Sequence, residues 1–260
     1  MLQIKGRRYD TGESVCIETE GDRIRSVAPI EVPADPGQLP LIAPGLFDLQ
    51  INGHGGTWFS DESLTPEKVI QTLEPHYRFG ITRLLPTLVT ASHEAFISGF
   101  TAIRKACEQE RWVDQMVAGC HQEGPYIARE DGPRGAHPLQ HVRAADWDEF
   151  CCYQEASGGR IRLVTLAAEA EGAVPFIRKA VAAGITIAIG HTGANSDQIA
   201  AAAPLGVSAI LKSSRMAMTL GETVAAGHIF DDMARVMGSE DAQEGVRSFM
   251  ERREAVFKGR

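Results

Sequence analysis

Short runs near the N-terminus alternate apolar and polar residues: Leu2-Gln3-Ile4-Lys5, Ser14-Val15-Cys16-Ile17-Glu18 and Arg23-Ile24-Arg25-Ser26-Val27. Gly12 and Gly21-Asp22 separate them, and period-two alternation broken by Gly and Asp predicts antiparallel hairpins. The proline-containing stretch from Val32 to Pro40 then predicts a boundary near residue 40, making 1–40 a small N-terminal β segment.

From Leu41 onward the pattern becomes strand, loop, helix, repeated. Apolar strand candidates are Gly45–Ile51, Arg83–Val89, Gln115–Cys120, Ile161–Leu166, Ile185–Ile189 and Val207–Leu211. Helical candidates between them include Pro66–Phe79, His93–Glu110, Ala173–Ala183 and Ser196–Ala203. Strands alternating with helices imply βαβ units and a parallel sheet. A closed barrel of this type needs eight strands, and residues 41–210 supply six candidates. The expected fold is therefore α/β, an incomplete (β/α)8 barrel. In residues 211–260 no strand pattern resumes; Thr223–Met237 and Glu240–Arg253 predict a helical C-terminal tail. Gly238 suits a helix stop and Ser239 an N-cap. Ala242, Val246, Phe249 and Met250 form one apolar stripe, with Glu240/Asp241 and Arg252/Arg253 placed to suit the helix dipole.

Composition narrows the function classes. The chain has 260 residues, 43% hydrophobic and 23% charged, which excludes disorder and fibrous repeats. A net charge of −8 with no Lys/Arg-dense stretch argues against a nucleic-acid partner, which needs clustered cations. Met1–Asp10 carries no signal-type apolar core, and no run approaches the ~18 apolar residues of a membrane span. A cytoplasmic protein without a membrane partner is expected. The cysteines Cys16, Cys107, Cys120, Cys151 and Cys152 are odd in number and lack CxxC spacing, so reduced thiols are expected.

Catalytic groups of barrel enzymes sit at the C-terminal ends of strands. Three such places carry polar side chains. In Pro44 to Gly53, alternation sends Asp48, Gln50 and Asn52 to one face. In His121-Gln122-Glu123-Gly124-Pro125-Tyr126, His121 and Glu123 share a face and Gly-Pro ends the strand. In Ile187-Ala188-Ile189-Gly190-His191, a near-continuous apolar strand ends on a histidine. A carboxylate and an imidazole suit a divalent cation such as zinc or iron. Taken singly, His191 reads first as a hydrogen-bonded strand cap, and Glu123 as a loop carboxylate paired with an arginine, since satisfied polar residues outnumber ligands.

As a set, residues 44–53, Leu85-Pro-Thr-Leu-Val-Thr90, 121–126, Arg134-Gly-Ala-His-Pro138 and Gly190-His-Thr-Gly-Ala194 resemble, in order, the N-acetylglucosamine-6-phosphate deacetylases of the amidohydrolase superfamily, over about residues 1–210. The resemblance implies an amidohydrolase-type barrel hydrolysing the acetamide of an amino-sugar phosphate. It implies Glu123 as a metal-binding glutamate and His191 as the first of two metal-binding histidines. Ala136 and His137 fall at substrate-binding positions, His137 near the amide carbonyl; a solvated loop histidine is the alternative. Positions where many amidohydrolases carry His-x-His for a second metal are Gln50 and Asn52 here. Amides are poor metal ligands, so one divalent metal is expected, with Gln50 bonding near its water and Asn52 lining the site. For His121 a structural hydrogen-bonding role along the barrel wall is expected over direct participation. Leu85 to Thr90 reads as core packing. His54, His76, His93, His141 and His228 carry no assignment.

After Val207-Ser-Ala-Ile210 the resemblance stops. Lys212 stands where the family carries its second metal histidine, and the family's catalytic aspartate finds no counterpart in residues 211–260. An ammonium offers no lone pair to a metal. Gly238 to Arg253 and the ending Phe257-Lys-Gly-Arg260 instead resemble the C-terminus of the enoyl-CoA hydratase/isomerase family, so a chimera joined near Ile210 is expected. Three readings follow: a deacetylase-like hydrolase without turnover as written, an acyl-CoA hydratase relative, and a non-catalytic sugar-phosphate-binding fragment. Weak metal binding through two ligands is expected, and the unclosed sheet leaves homo-oligomer formation open.

Overall fold

The structure, a computed structural model, describes residues 2–31 and 39–195 together with 198, 199, 240 and 244. The sixth strand candidate, the first tail helix and Lys212 lie outside these residues, as does most of the Pro-containing stretch; of the second tail helix only Glu240 and Glu244 are described, and both are helical.

The N-terminal hairpins form as their alternation predicts. Strands β1 (Leu2–Arg8), β2 (Ser14–Glu20) and β3 (Arg23–Pro29) pair antiparallel, with Ile4 opposite Ile17 and Cys16 opposite Ala28. A fourth strand, β4 (Leu41–Ile42), lies parallel to β1, so this sheet runs two residues past the boundary expected at 40. The close approach needs a glycine: a Cβ on Gly6 would lie 2.5 Å from Ile42 Cγ1.

The second sheet holds five parallel strands in sequence order: β5 (Leu46–Ile51), β8 (Ile81–Val89), β9 (Cys120–Glu123), β10 (Ile161–Leu166) and β11 (Thr186–Ile189). This is the curled half-barrel that six candidates out of eight foretold, short of its sixth strand among the described residues. A small hairpin, β6 (Gly53–His54) with β7 (Thr57–Trp58), follows β5. One strand was displaced: Gln115–Cys120 was expected, yet Arg111–Met116 forms helix α3 and the strand begins at Cys120. Short apolar runs do not separate helix from strand by periodicity. Here Val113 and Met116, three apart, are both buried as helix positions.

Helices cover the outer face. Helix α1 (Pro66–Leu73) starts on the Thr65 cap with proline in its first turn, and then tightens into a 3₁₀ turn over Glu74–Phe79. Helix α2 (His93–Gln109) starts where Ser92 Oγ accepts from Ala95 N at 3.1 Å. Its face of Ala95, Phe96, Gly99, Phe100, Ala102, Ile103, Ala106 and Cys107 is buried at helical spacing. Gly99 lets α2 sit on the sheet, since a Cβ there would lie 2.6 Å from Leu88 Cδ2. Helix α4 (Trp147–Ala156) opens on Asp146, whose carboxylate accepts from the amides of Asp148 and Glu149 at 2.8 and 3.0 Å. Helix α5 (Ala173–Ala182) precedes β11.

Aromatic packing welds these helices to one another. Phe96 lies 4.9 Å from Tyr153 between ring centroids, and Trp147, Phe150 and Phe176 meet at 5.1 to 5.7 Å. Each fully buried side chain of this size contributes about 1.5–3 kcal/mol. Arg143 ties the loop after β9 to α4: it donates to both Glu149 carboxylate oxygens (2.9 and 3.1 Å), to Tyr153 Oη (2.8 Å) and to the Ala91 carbonyl (3.1 Å). Tyr126 donates to Glu149 from the other side at 2.8 Å. That network fixes the loop that carries residues 134–138.

Candidate metal centre

Parallel register sorts the side chains of the inner strands. Thr87, His121 and Leu163 stand level, and one step along Val89, Glu123 and Thr165 do. His121 and Glu123 point into the concave side of the sheet, as their two-residue spacing predicts.

Glu123 is 7% exposed and sits at the centre of the polar contacts. Its Oε2 accepts from Gln50 Nε2 at 2.9 Å, and its Oε1 lies 2.9 Å from His191 Nε2. His137 joins them: its ring centroid is 4.2 Å from that of His191, and its Nδ1 lies 2.8 Å from Thr90 Oγ1. One donor atom each from Glu123, His137 and His191 lie within 4.8 Å of one another. The family resemblance implied two ligands among these residues, with His137 on the substrate. The fold brings the His137 imidazole to the same point, which pattern along the chain does not reveal because residue 137 lies in a loop.

His137 is held neutral-leaning. Burial lowers its pKa first, and the neighbouring His191 pushes the same way, against the pull of Glu123. With its proton on Nδ1, donated to Thr90, the Nε2 lone pair is left available. Arg134 supports the loop by donating to the His137 carbonyl at 2.7 Å and pairing with Asp131.

His191 has a left-handed backbone, φ 51°, the one positive value at a non-glycine position among the described residues. Such a conformation costs roughly 1–2 kcal/mol. Its carbonyl accepts from Ala128 N at 2.8 Å, and Gly190 N donates to Leu166 O at 3.1 Å. The Glu169 carboxylate takes the next two residues, the Thr192 hydroxyl on Oε2 and the Gly193 amide on Oε1 at 2.6 Å.

His121 lies on the wall between neighbouring strands. It is 1% exposed and bridges strands, with Nδ1 3.2 Å from Thr87 Oγ1 and Nε2 2.8 Å from Thr165 Oγ1. Burial lowers its pKa to about 4, partly offset by Glu123, so it is neutral at pH 7. Asn52 lies beyond β5; its backbone carbonyl accepts from Phe59 N, and its buried Oδ1 has no partner among the described residues. Ala136 is exposed beside His137. Asp48 turns back on its own strand, accepting from Gln50 N at 3.0 Å, and does not join the cluster.

Thr90, Glu169 and Thr192 were missed from the sequence. Leu85 to Thr90 read as core packing, yet Thr87 and Thr90 bond His121 and His137. Two hydroxyls in an otherwise apolar strand were the available signal. Burial of a hydroxyl costs free energy unless it is bonded.

No family model matches the chain. Among curated proteins it is 29% identical over 199 residues to the N-acetylglucosamine-6-phosphate deacetylase of Bacillus subtilis (strain 168), covering 76% of this chain and 48% of that protein. It is 31% identical over 191 residues to the N-acetylgalactosamine-6-phosphate deacetylase of Shewanella sp. (strain ANA-3), covering 73% and 46%. Among solved structures, the N-acetyl-D-glucosamine-6-phosphate deacetylase of Mycobacterium smegmatis superposes with a TM-score of 0.65 at 28% identity, over 78% of this chain and 53% of that one. A mutant of it in complex with N-acetyl-D-glucosamine-6-phosphate gives 0.61 at 30% identity, over 73% and 48%. The chain spans about half the length of the curated relatives it matches.

Proposed function

We propose that this chain carries half of the active site of a metal-dependent amide hydrolase acting on an N-acetylated amino-sugar phosphate. The observation that carries this reading is the convergence of Glu123, His137 and His191 at the strand ends of a half-barrel similar to the deacetylases. One carboxylate and two imidazoles suit a single divalent ion, zinc or iron, and three protein ligands are usual for catalytic zinc. The fit extends outward: Gln50 occupies one carboxylate oxygen of Glu123 and Thr90 one nitrogen of His137, which orients the remaining donors inward. When bound, such an ion supplies Lewis acidity and an activated water for amide hydrolysis.

The remaining steps belong to this chain's own groups. Gln50 keeps the Glu123 carboxylate turned toward His191 by donating to its far oxygen. His121, neutral and bonded to two threonines, fixes the spacing of β8, β9 and β10 beneath the site and takes no proton. Ala136, exposed beside His137, offers the edge of the site to a substrate. The amino-sugar phosphate as substrate rests on the relatives, which include deacetylases of both the gluco and galacto sugars. The part of the proposal concerning residues 211–260 is that Lys212, standing where the resemblance calls for a second metal histidine, leaves the 260-residue chain without turnover.

Acetate release from N-acetylglucosamine 6-phosphate and N-acetylgalactosamine 6-phosphate tests this. Replacing residues from 211 onward by the matching half of a relative is expected to yield turnover, abolished by Glu123→Gln and by His191→Ala. A folded repaired chain that takes up zinc but releases no acetate from either sugar would overturn the reading.

A further inference from the structure

We infer that Glu169 is a positioning residue: its carboxylate clamps Thr192 and Gly193, and this clamp sets the left-handed turn that aims the His191 imidazole at Glu123. The inference rests on the reading of Glu123, His137 and His191 as a metal site, and extends it to a residue whose carboxylate bonds Thr192 and Gly193 and not those three side chains.

The geometry is a two-point grip on a strained turn. Strand β11 ends at Ile189, and Gly190 stays in register by donating to Leu166 O at 3.1 Å. At His191 the backbone passes to φ 51°, which an L-residue adopts only when its surroundings hold it there. Behind that residue, Glu169 Oε1 accepts from Gly193 N at 2.6 Å, and Glu169 Oε2 accepts from the Thr192 hydroxyl. Thr192 Oγ1 in turn accepts from Ala194 N at 3.1 Å, so the side chain of one residue and the amides of two are organised by a single carboxylate. On the other side the His191 carbonyl is taken by Ala128 N at 2.8 Å. Glu169 can serve as an anchor because its own loop is fixed: Ala167 N donates to Tyr126 O at 2.8 Å and Ala145 N to Glu171 O at 2.8 Å. The loops after β9 and β10 thus hold the loop after β11. Without the carboxylate, two donors lose their acceptor and only the bonds at Gly190 N and the His191 carbonyl remain against the cost of φ 51°, so the turn relaxes and the imidazole leaves Glu123.

Glu169→Gln and Glu169→Ala separate charge from contact. A glutamine keeps an oxygen for Gly193 N and presents an amide N–H to the Thr192 oxygen, so it rebuilds both contacts; alanine rebuilds neither. The full 260-residue protein is compared with Glu169→Gln, Glu169→Ala, Thr192→Val and His191→Ala by two measurements. In the metal-free protein, ¹⁵N resonances of the His191 ring report its bond to Glu123. Glu169→Ala is expected to move Nε2 to the position of a free imidazole, Thr192→Val part of the way, and Glu169→Gln hardly at all. In a cobalt(II) titration, Glu169→Ala is expected to lose about 10- to 100-fold in affinity and to change the d–d absorption, with Glu169→Gln within about threefold of the parent. Unchanged His191 ring resonances in a Glu169→Ala protein that retains its folded spectrum would overturn the clamp. So would a Glu169→Gln defect as large as that of alanine, because it would make the charge the active feature. A parent protein that binds no cobalt overturns the metal reading alone, and the ring resonances still decide the role of Glu169.

Discussion

Strands β5 and β9 belong to one parallel sheet and both supply the candidate site, yet they live in different surroundings. All four residues of β9 are buried between β8 and β10, and every site contact on it is made twice: His121 to two threonines, Glu123 to Gln50 and to His191. Among the described residues strand β5 has one partner strand, β8, with register breaks after Leu46 and Asp48. Its outward side chains Leu46, Phe47 and Leu49 are 60, 52 and 58% exposed. An edge strand with apolar residues facing out invites pairing with another chain. The contrast teaches that a site group is preorganised by neighbours on both sides of its strand, and that Gln50, reaching in from the edge, is the least supported member.

Substitutions at the two places should separate them by size. The largest effect is expected behind β8, where Phe100 is fully buried: Phe100→Ala should cost about 3–5 kcal/mol, read from urea unfolding midpoints. A loss under ~1 kcal/mol would show that α2 is not the support of the sheet. Next, His191→Ala should weaken zinc binding by more than about 100-fold, measured by competition with a chromophoric chelator, since even an outer partner carries about 10- to 100-fold. His121→Ala removes the Thr165 hydroxyl's histidine partner, leaves Thr87 only its bond to the Leu85 carbonyl, and opens a cavity, for a loss of about 1–3 kcal/mol on thermal unfolding; parent-like melting would deny it the bridging role. Gln50→Ala should reduce zinc affinity about tenfold and leave unfolding nearly unchanged. The smallest effect is expected at the edge, where Leu49→Ser should stay within about 0.5 kcal/mol of the parent while lowering self-association in sedimentation velocity. A Leu49→Ser protein destabilised as strongly as Phe100→Ala would erase the distinction between edge and interior.

Much of the scaffold is legible in the sequence. Period-two alternation in residues 2–27 specified the hairpins, and the apolar run Ile161–Leu166 appears as a strand with those bounds. His93 to Gln109 is helical, one residue short of its expected end. Such elements are local: alternation, helical spacing and caps such as Ser92 act within a few residues. The strand expected over Gln115–Cys120 lies at Cys120–Glu123 because Gln115 and Met116 close a helix, and of the apolar run Val117 makes only an isolated parallel bridge to Leu84. Helix α4 was not anticipated at all, although Asp146 caps it; its buried side is little more than Phe150 and Tyr153, too thin an apolar stripe to stand out.

For the site, the chain by itself determined which residue types stood at strand ends, and its resemblance to the deacetylases implied roles for Glu123, His191 and Gln50. Tertiary structure alone decided that His137 shares their point, that Thr90 orients it, and that Glu169 grips the turn beyond His191. Those contacts join residues 47, 24 and 23 positions and more apart, separations that the hydrogen-bond distances close and that no periodicity encodes. The physical reason is that loops carry no repeat: their side chains are positioned by the strands and helices they connect, and converge only once the sheet has curled.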